Sequence, residues 1–139
     1  MTTTLRAIRA ALLLPLALLL AGAAPAAHAS PRHGFPGNWL GLAVTRGDAR
    51  SSDTRGVLLL CDPPQGHAHA ARACRQLAVA GGDIGRIPRR TGVMCPMLYA
   101  PVTASAHGRW NGHRVDFRRT FSNSCAMKAQ TGEVFDLSS

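Results

Sequence analysis

The sequence predicts a single small α+β domain: an antiparallel sheet of about five strands, two short helices and two disulfides. Three observations predict it. Four cysteines, Cys61, Cys74, Cys95 and Cys125, follow a leader-like N-terminus, and an even count in an exported chain reads as two bridges. Short apolar runs separated by Gly, Pro and Asn recur between 39 and 137, the mark of strands joined by turns. One segment, 67–83, instead repeats its apolar residues at helical spacing.

The N-terminus stands apart from the domain. Arg6 and Arg9 precede the apolar run ALLLPLALLLAG, and AAPAAHAS follows, with Ala27 and Ala29 flanking His28. This is the pattern of a secretory signal peptide over 1–29, cut after Ala29. A membrane anchor fits less well, because a spanning helix wants about 20 apolar residues and Pro15 interrupts this run. The remainder, 30–139, is one domain by length and is expected to be secreted and extracellular. It carries 14 Lys+Arg against 7 Asp+Glu, a net charge of +7. The densest basic clusters are Arg86, Arg89 and Arg90, and Arg118-Arg119. Few aromatics lie among them, which argues against nucleic acid as a partner.

Along the domain, SPRHGFPGN (30–38) reads as a loose arm and WLGLAVT (39–45) as a strand weakened by Gly41. RGDARSSDTRG (46–56) reads as a loop containing the tripeptide Arg46-Gly47-Asp48. VLLLC (57–61) is a short buried strand ended by DPPQG. The helix over 67–83 places Ala70, Cys74, Leu77 and Ala78 on one face and stops at Gly81-Gly82. IGRIPRRTG (84–92) is a basic connector. PVTASAH (101–107) and HRVDFRRTF (113–121) form a hairpin about Asn111-Gly112, a strong turn signal. Val115, Phe117 and Phe121 share one side of the return strand with Arg119, which is expected to reach an edge or a partner acid. SNSCAMKAQ (122–130) is one or two helical turns capped by Ser122 or Asn123. GEVFDL (132–137) is the last strand.

The four cysteines allow three pairings. A metal site is the competing reading, since Cys61, His67, His69 and Cys74 lie close in the chain. Their C-x5-H-x-H-x4-C spacing matches none of the usual zinc patterns, so no metal is expected. No cofactor fingerprint appears, and no G-x-S-x-G, H-E-x-x-H or P-loop pattern either. The acids Asp48, Asp53, Asp62, Asp83, Asp116, Glu133 and Asp136 show no spacing that forces two carboxylates together. The domain therefore reads as a binder and not as an enzyme. One kind of binder, a cationic exported binding protein, is suggested by the charge and the tripeptide.

VMCPMLYAPV (93–102) is the segment that fits no regular element. Pro96 fixes its own φ, lacks an N–H and pushes Cys95 into an extended conformation. The backbone is stiff and its side chains are apolar. Such preorganisation converts contacts into affinity, and Met97 is a flexible filler for an open apolar pocket.

These residues resemble the Streptomyces subtilisin inhibitor family of secreted serine protease inhibitors. The match is carried by VMCPMLYAPV, by GRWNGHRVDFRRTFSNSC (108–125) and by GEVFDL, with VLLLC, HAHAARAC and AVAGGD upstream. The resemblance implies inhibition of subtilisin-like proteases by a substrate-like loop with Met97–Leu98 as the reactive bond. Met94, Cys95 and Pro96 would lead into that bond and Tyr99 would follow it. It implies bridges Cys61–Cys74 and Cys95–Cys125, support of the loop by Asn123, and a homodimer. The chain departs from the family pattern at Ala100 and Ser124, where an acid is usual.

Overall fold

The structure, a computed structural model, describes residues 35–47 and 53–138. The predicted signal peptide, 30–34 of the arm and Asp48 of the tripeptide lie outside the described residues. Five antiparallel strands form one sheet in the order β3-β2-β1-β4-β5. These are β1 (Trp39–Arg46), β2 (Thr54–Cys61), β3 (Pro64–Gln65), β4 (Val102–Trp110) and β5 (His113–Phe121). Helix α1 is Ala70–Val79 and helix α2 is Ser124–Thr131. A 3₁₀ turn at Ile84–Arg86 follows α1, capped by the Asp83 carboxylate, which accepts from the Gly85 N–H at 2.9 Å.

Strand periodicity explains which side of the sheet is covered, since alternate residues face opposite sides. Leu40, Leu42, Leu59, Val102, Ala104, Ala106 and Trp110 are buried, and Val44, Val57, Val115 and Phe117 pack against them. The β4–β5 hairpin turns at Asn111 (φ 46°) and Gly112 (φ 78°); positive φ at both central residues is what a type I′ turn requires. Asn38 ties the start of the domain down: its side-chain oxygen accepts from the Asn111 N–H at 2.6 Å, and its carbonyl accepts from the Cys61 N–H at 2.9 Å.

Helix α1 lies against β2 and β3. It buries Ala70, Ala73, Cys74 and Leu77. Ala78, expected on that face, lies at the rim of the stripe and is exposed, while Ala73 occupies the centre. The helix closes as its two glycines predict. The Gly82 N–H donates to Leu77 O at 2.8 Å and the Gly81 N–H to Ala78 O at 3.2 Å, the double bond of a Schellman end. A Cβ on Gly82 would sit 2.4 Å from the Trp110 ring, so this position admits only glycine. Cys61 and Cys74 are bridged, with their Cα atoms 5.5 Å apart.

Two strand expectations need correction. Residues 132–135 form turns and 136–137 are irregular, so the segment is not a strand. Val134 and Phe135 are both fully buried although adjacent, which a strand with one covered face cannot provide. Their segment turns upon itself, with Asp136 N–H donating to Glu133 O at 3.1 Å, and Phe135 stacks on Phe117 at 5.8 Å. The fifth strand is instead β3, within the DPPQG that was expected to end β2; it folds back so that Leu60 faces Gln65 and Cys61 faces Pro64. Arg119 lies on β5, an edge of the sheet, the first of its two expected alternatives, and pairs with no acid among the described residues. Its guanidinium lies 5.3 Å from the Phe121 ring centroid, the geometry of a cation–π contact.

The C-terminal turn is pinned by two titrating groups, which makes its stability depend on pH. His67 Nε2 donates to Val134 O at 3.2 Å, and its Nδ1 accepts from the His69 N–H at 2.8 Å. The second contact requires the neutral ring, because a protonated Nδ1 cannot accept; the first is kept by either form. Burial lowers the His67 pKa below 6.5, aided by the neighbouring His69 and opposed by the bond to Val134. Burial would raise the Asp136 pKa, but the Lys128 ammonium at 2.8 Å and the Ser138 hydroxyl hold it at about 2. In both cases the unfolded chain binds protons first as pH falls, so stability is lost with acid. The His67 contribution is present above pH 6.5 and fades below it; that of Asp136 fades between the ordinary carboxylate pKa of 3.8 and about 2. Thermal melts across this range are expected to show a falling midpoint in two limbs, and His67→Gln should flatten the upper one. A midpoint constant between about pH 7 and 5 would contradict the assignment.

Candidate functional site

Between buried Ile87 and buried Val102 the chain forms a long exposed loop without helix or strand. Its shape is imposed by anchors at intervals. The Arg90 N–H donates to Ala129 O at 2.9 Å. Cys95 is bridged to Cys125, with Cα atoms 5.6 Å apart. The Ala100 N–H donates to Ser122 O at 2.9 Å, and Pro101 O accepts from the Gly47 N–H at 2.7 Å.

The central anchor is Asn123. Its Nδ2 donates to Pro96 O at 3.1 Å and to Leu98 O at 3.0 Å. Its Oδ1 accepts from the Ala126 N–H at 2.9 Å, capping α2. Because the oxygen is committed to the helix, the two amide hydrogens are left for the loop, one for each carbonyl. The residue is only 7% exposed. It thus clamps the backbone on both sides of Met97 while drawing its own rigidity from the helix.

What the clamp presents is apolar. Met94 is 96% exposed and Met97 102%; Val93, Leu98 and Tyr99 are exposed as well. These make up most of the large exposed hydrophobics among the described residues. A contiguous apolar patch on a constrained backbone marks an interaction site. The structure therefore gathers Met94, Cys95, Pro96, Met97, Leu98, Tyr99 and Asn123 in one place. The other bridge, Cys61–Cys74, joins β2 to α1 and none of the loop's anchors runs through it. Of the two departures from pattern, Ala100 is exposed with its N–H anchored, and Ser124 opens α2 exposed. Sequence reasoning missed the anchors at Arg90, Ser122 and Ala129. Two of them act through backbone carbonyls, which any residue supplies, so no sequence signal marks them.

Residues 37–123 match the family model described as "Subtilisin inhibitor-like". The chain belongs to the subtilisin inhibitor-like family. A Streptomyces avermitilis protein, named as a candidate serine protease inhibitor, is 58% identical over 99% of this chain and 91% of its own. The subtilisin inhibitor of Streptomyces albogriseolus is 41% identical over 87% of this chain and 88% of its own. Among solved structures, Streptomyces caespitosus sermetstatin in complex with Bacillus licheniformis subtilisin matches with a TM-score of 0.57 and 31% identity. That match covers 70% of this chain and 98% of the sermetstatin chain.

Proposed function

We propose that this protein inhibits subtilisin-like serine proteases by offering Met97–Leu98 as a substrate-like bond. The observation that carries the reading is the Asn123 amide spanning the two carbonyls around a fully exposed Met97. In this reading Met97 fills the protease's primary specificity pocket, Met94, Cys95 and Pro96 line the approach, and Tyr99 lies beyond the bond. The protease serine attacks the Met97 carbonyl with its histidine as general base. If the bond is cut, the Cys95–Cys125 bridge and Asn123 keep both new ends in place, and religation competes with hydrolysis. The relatives bear inhibitor names, and one neighbour was solved bound to subtilisin. The alternative, a non-inhibitory cationic exported binding protein, rests only on the charge and on the tripeptide Arg46-Gly47-Asp48.

Export by a signal peptide over 1–29 belongs to the same reading, as the target proteases would be met outside the cell. A homodimer belongs to it too. The sheet face away from the helices carries Trp39, Gly41, Ala43, Leu58, Leu60 and Ser105, adjacent by register and only partly buried. That small, apolar surface suits a second copy, and sedimentation should give twice the monomer mass.

Titration of purified protein against subtilisin tests the inhibitory reading. Stoichiometric loss of activity is expected, with any cleaved fragment beginning at Leu98. A fully active protease would end the proposal. Met97→Lys is expected to weaken subtilisin inhibition and gain inhibition of trypsin, whose specificity pocket holds an acid. An unchanged preference would place the reactive bond elsewhere.

A further inference from the structure

We propose that Glu133 is a positioning residue for the reactive loop, holding the limb ahead of Met97 through Arg90 and so slowing cleavage of the loop. The inference rests on the reading of Met97–Leu98 as the reactive bond. The Arg90 guanidinium donates to and ion-pairs with the Glu133 carboxylate. The same carboxylate faces Arg72 Nη2 at 3.8 Å and His69 Nε2 at 4.0 Å, the first from α1 and the second at its cap. It is thus a joint between the loop and the first helix.

The backbone beneath Glu133 is built for this role. Its N–H donates to Gln76 Oε1 at 2.8 Å. The preceding Gly132 has φ 63°, and a Cβ there would lie 2.4 Å from that same oxygen. A glycine is therefore what lets the Gln76 amide fix the turn that carries the acid. The Glu133 side chain is largely buried, so its pairing is less screened than a surface pair. It is also the one glutamate in 30–139. Residues 91–94 make no hydrogen bond to another described residue, so Arg90 and Cys95 are the polar and covalent anchors at the two ends of the limb ahead of the bond.

A metal site is the rival use of this cluster, because His69, Glu133 and Asp136 offer ligand atoms within 4.8 Å of one another. The chain's own cations oppose it. Arg72 donates to His69 Nδ1 at 2.7 Å, which leaves the Nε2 proton facing the acids, and Lys128 lies 2.8 Å from Asp136. The acids are neutralised within the chain.

The test uses the full mature chain with Glu133→Gln, Glu133→Asp, Arg90→Gln and the double variant Arg90→Gln/Glu133→Gln. The rate at which subtilisin slowly hydrolyses Met97–Leu98 in the stoichiometric complex is followed by mass spectrometry, well below each variant's melting midpoint. Glu133→Gln and Arg90→Gln are each expected to speed cleavage about three- to tenfold, the scale of one ordinary hydrogen bond, since the Arg90 end of the pair is open to solvent. The double variant should be no faster than either single one, and Glu133→Asp should restore most of the slowness. Unchanged cleavage with only a lowered midpoint, or additive effects in the double variant, would overturn the role. Amide hydrogen exchange of Arg90, whose N–H is bonded to Ala129 O, reads the same tether in the free chain without protease, and it should quicken in Glu133→Gln. If the parent chain fails to inhibit subtilisin, the reactive-bond reading fails; unchanged exchange overturns the positioning role separately.

Discussion

Asn123→Ala is expected to turn a lasting inhibitor into a slowly digested substrate. The change removes both side-chain hydrogen bonds to the loop and the N-cap of α2. The lost cap costs about 0.5–2 kcal/mol. Water can replace the amide at Pro96 O and Leu98 O, because both residues are exposed, so the domain should still fold. The melting midpoint should drop by about 4–8 °C per kcal/mol lost, as for a domain of roughly 100 residues. The functional loss should be larger than the stability loss suggests. Two neutral hydrogen bonds at about 1 kcal/mol each hold the two sides of the proposed reactive bond together, so their absence should speed net cleavage on the order of 30-fold. Asn123→Asp separates the two roles. Aspartate caps a helix as well as asparagine does, but it turns an acceptor towards two carbonyls that need a donor. It should keep most of the melting midpoint and lose lasting inhibition. An Asn123→Asp protein that inhibits subtilisin as the parent does would show that the amide is not the support.

The same asparagine shows where sequence reasoning reaches and where it stops. A polar residue ahead of a helical run is a readable cap, and a proline beside a cysteine is a readable stiffener. The hairpin at Asn111-Gly112 and the helix end at Gly81-Gly82 are likewise local chemistry, and the structure places both as expected. That Asn123 also reaches back to Pro96 and Leu98 depends on tertiary packing and came only from the family resemblance. Residues 132–137 were misread because Val134 and Phe135 are consecutive and apolar, which mimics a short strand when the core that receives them is unknown. Strand β3 was missed because two residues with a proline carry no periodicity; its pairing is imposed by the turn after Cys61. The Arg90–Glu133 pair spans 43 residues between a connector and a turn, and no pattern joins such positions before the chain is folded.

Replacing Cys95 and Cys125 together by serine is expected to cost more function than any single change away from the loop, and a matched control makes the reason visible. The bridge spans a sequence separation of 30, for which the chain-entropy model gives about 3–4 kcal/mol of stabilisation. The Cys61–Cys74 bridge spans 13 and is worth about 3 kcal/mol on the same model. The two double variants should therefore lose comparable stability, each a large part of the roughly 5–15 kcal/mol available to a small domain. Their inhibition should differ sharply. Without Cys95–Cys125, the limb ahead of Met97 is held only through Arg90 and through the Pro96 carbonyl on Asn123. A cleaved end can then leave the protease cleft before the bond reforms. Without Cys61–Cys74, every loop anchor is retained, and folded protein should still titrate subtilisin one to one. The comparison is made at a temperature where urea titration shows both variants more than nine-tenths folded. Equal loss of inhibition in the two variants would mean that the bridges act on the fold as a whole. Selective loss in the first would place the cross-link in the mechanism: Cys95–Cys125 keeps the severed ends within reach of each other while the protease serine still holds the Met97 acyl group.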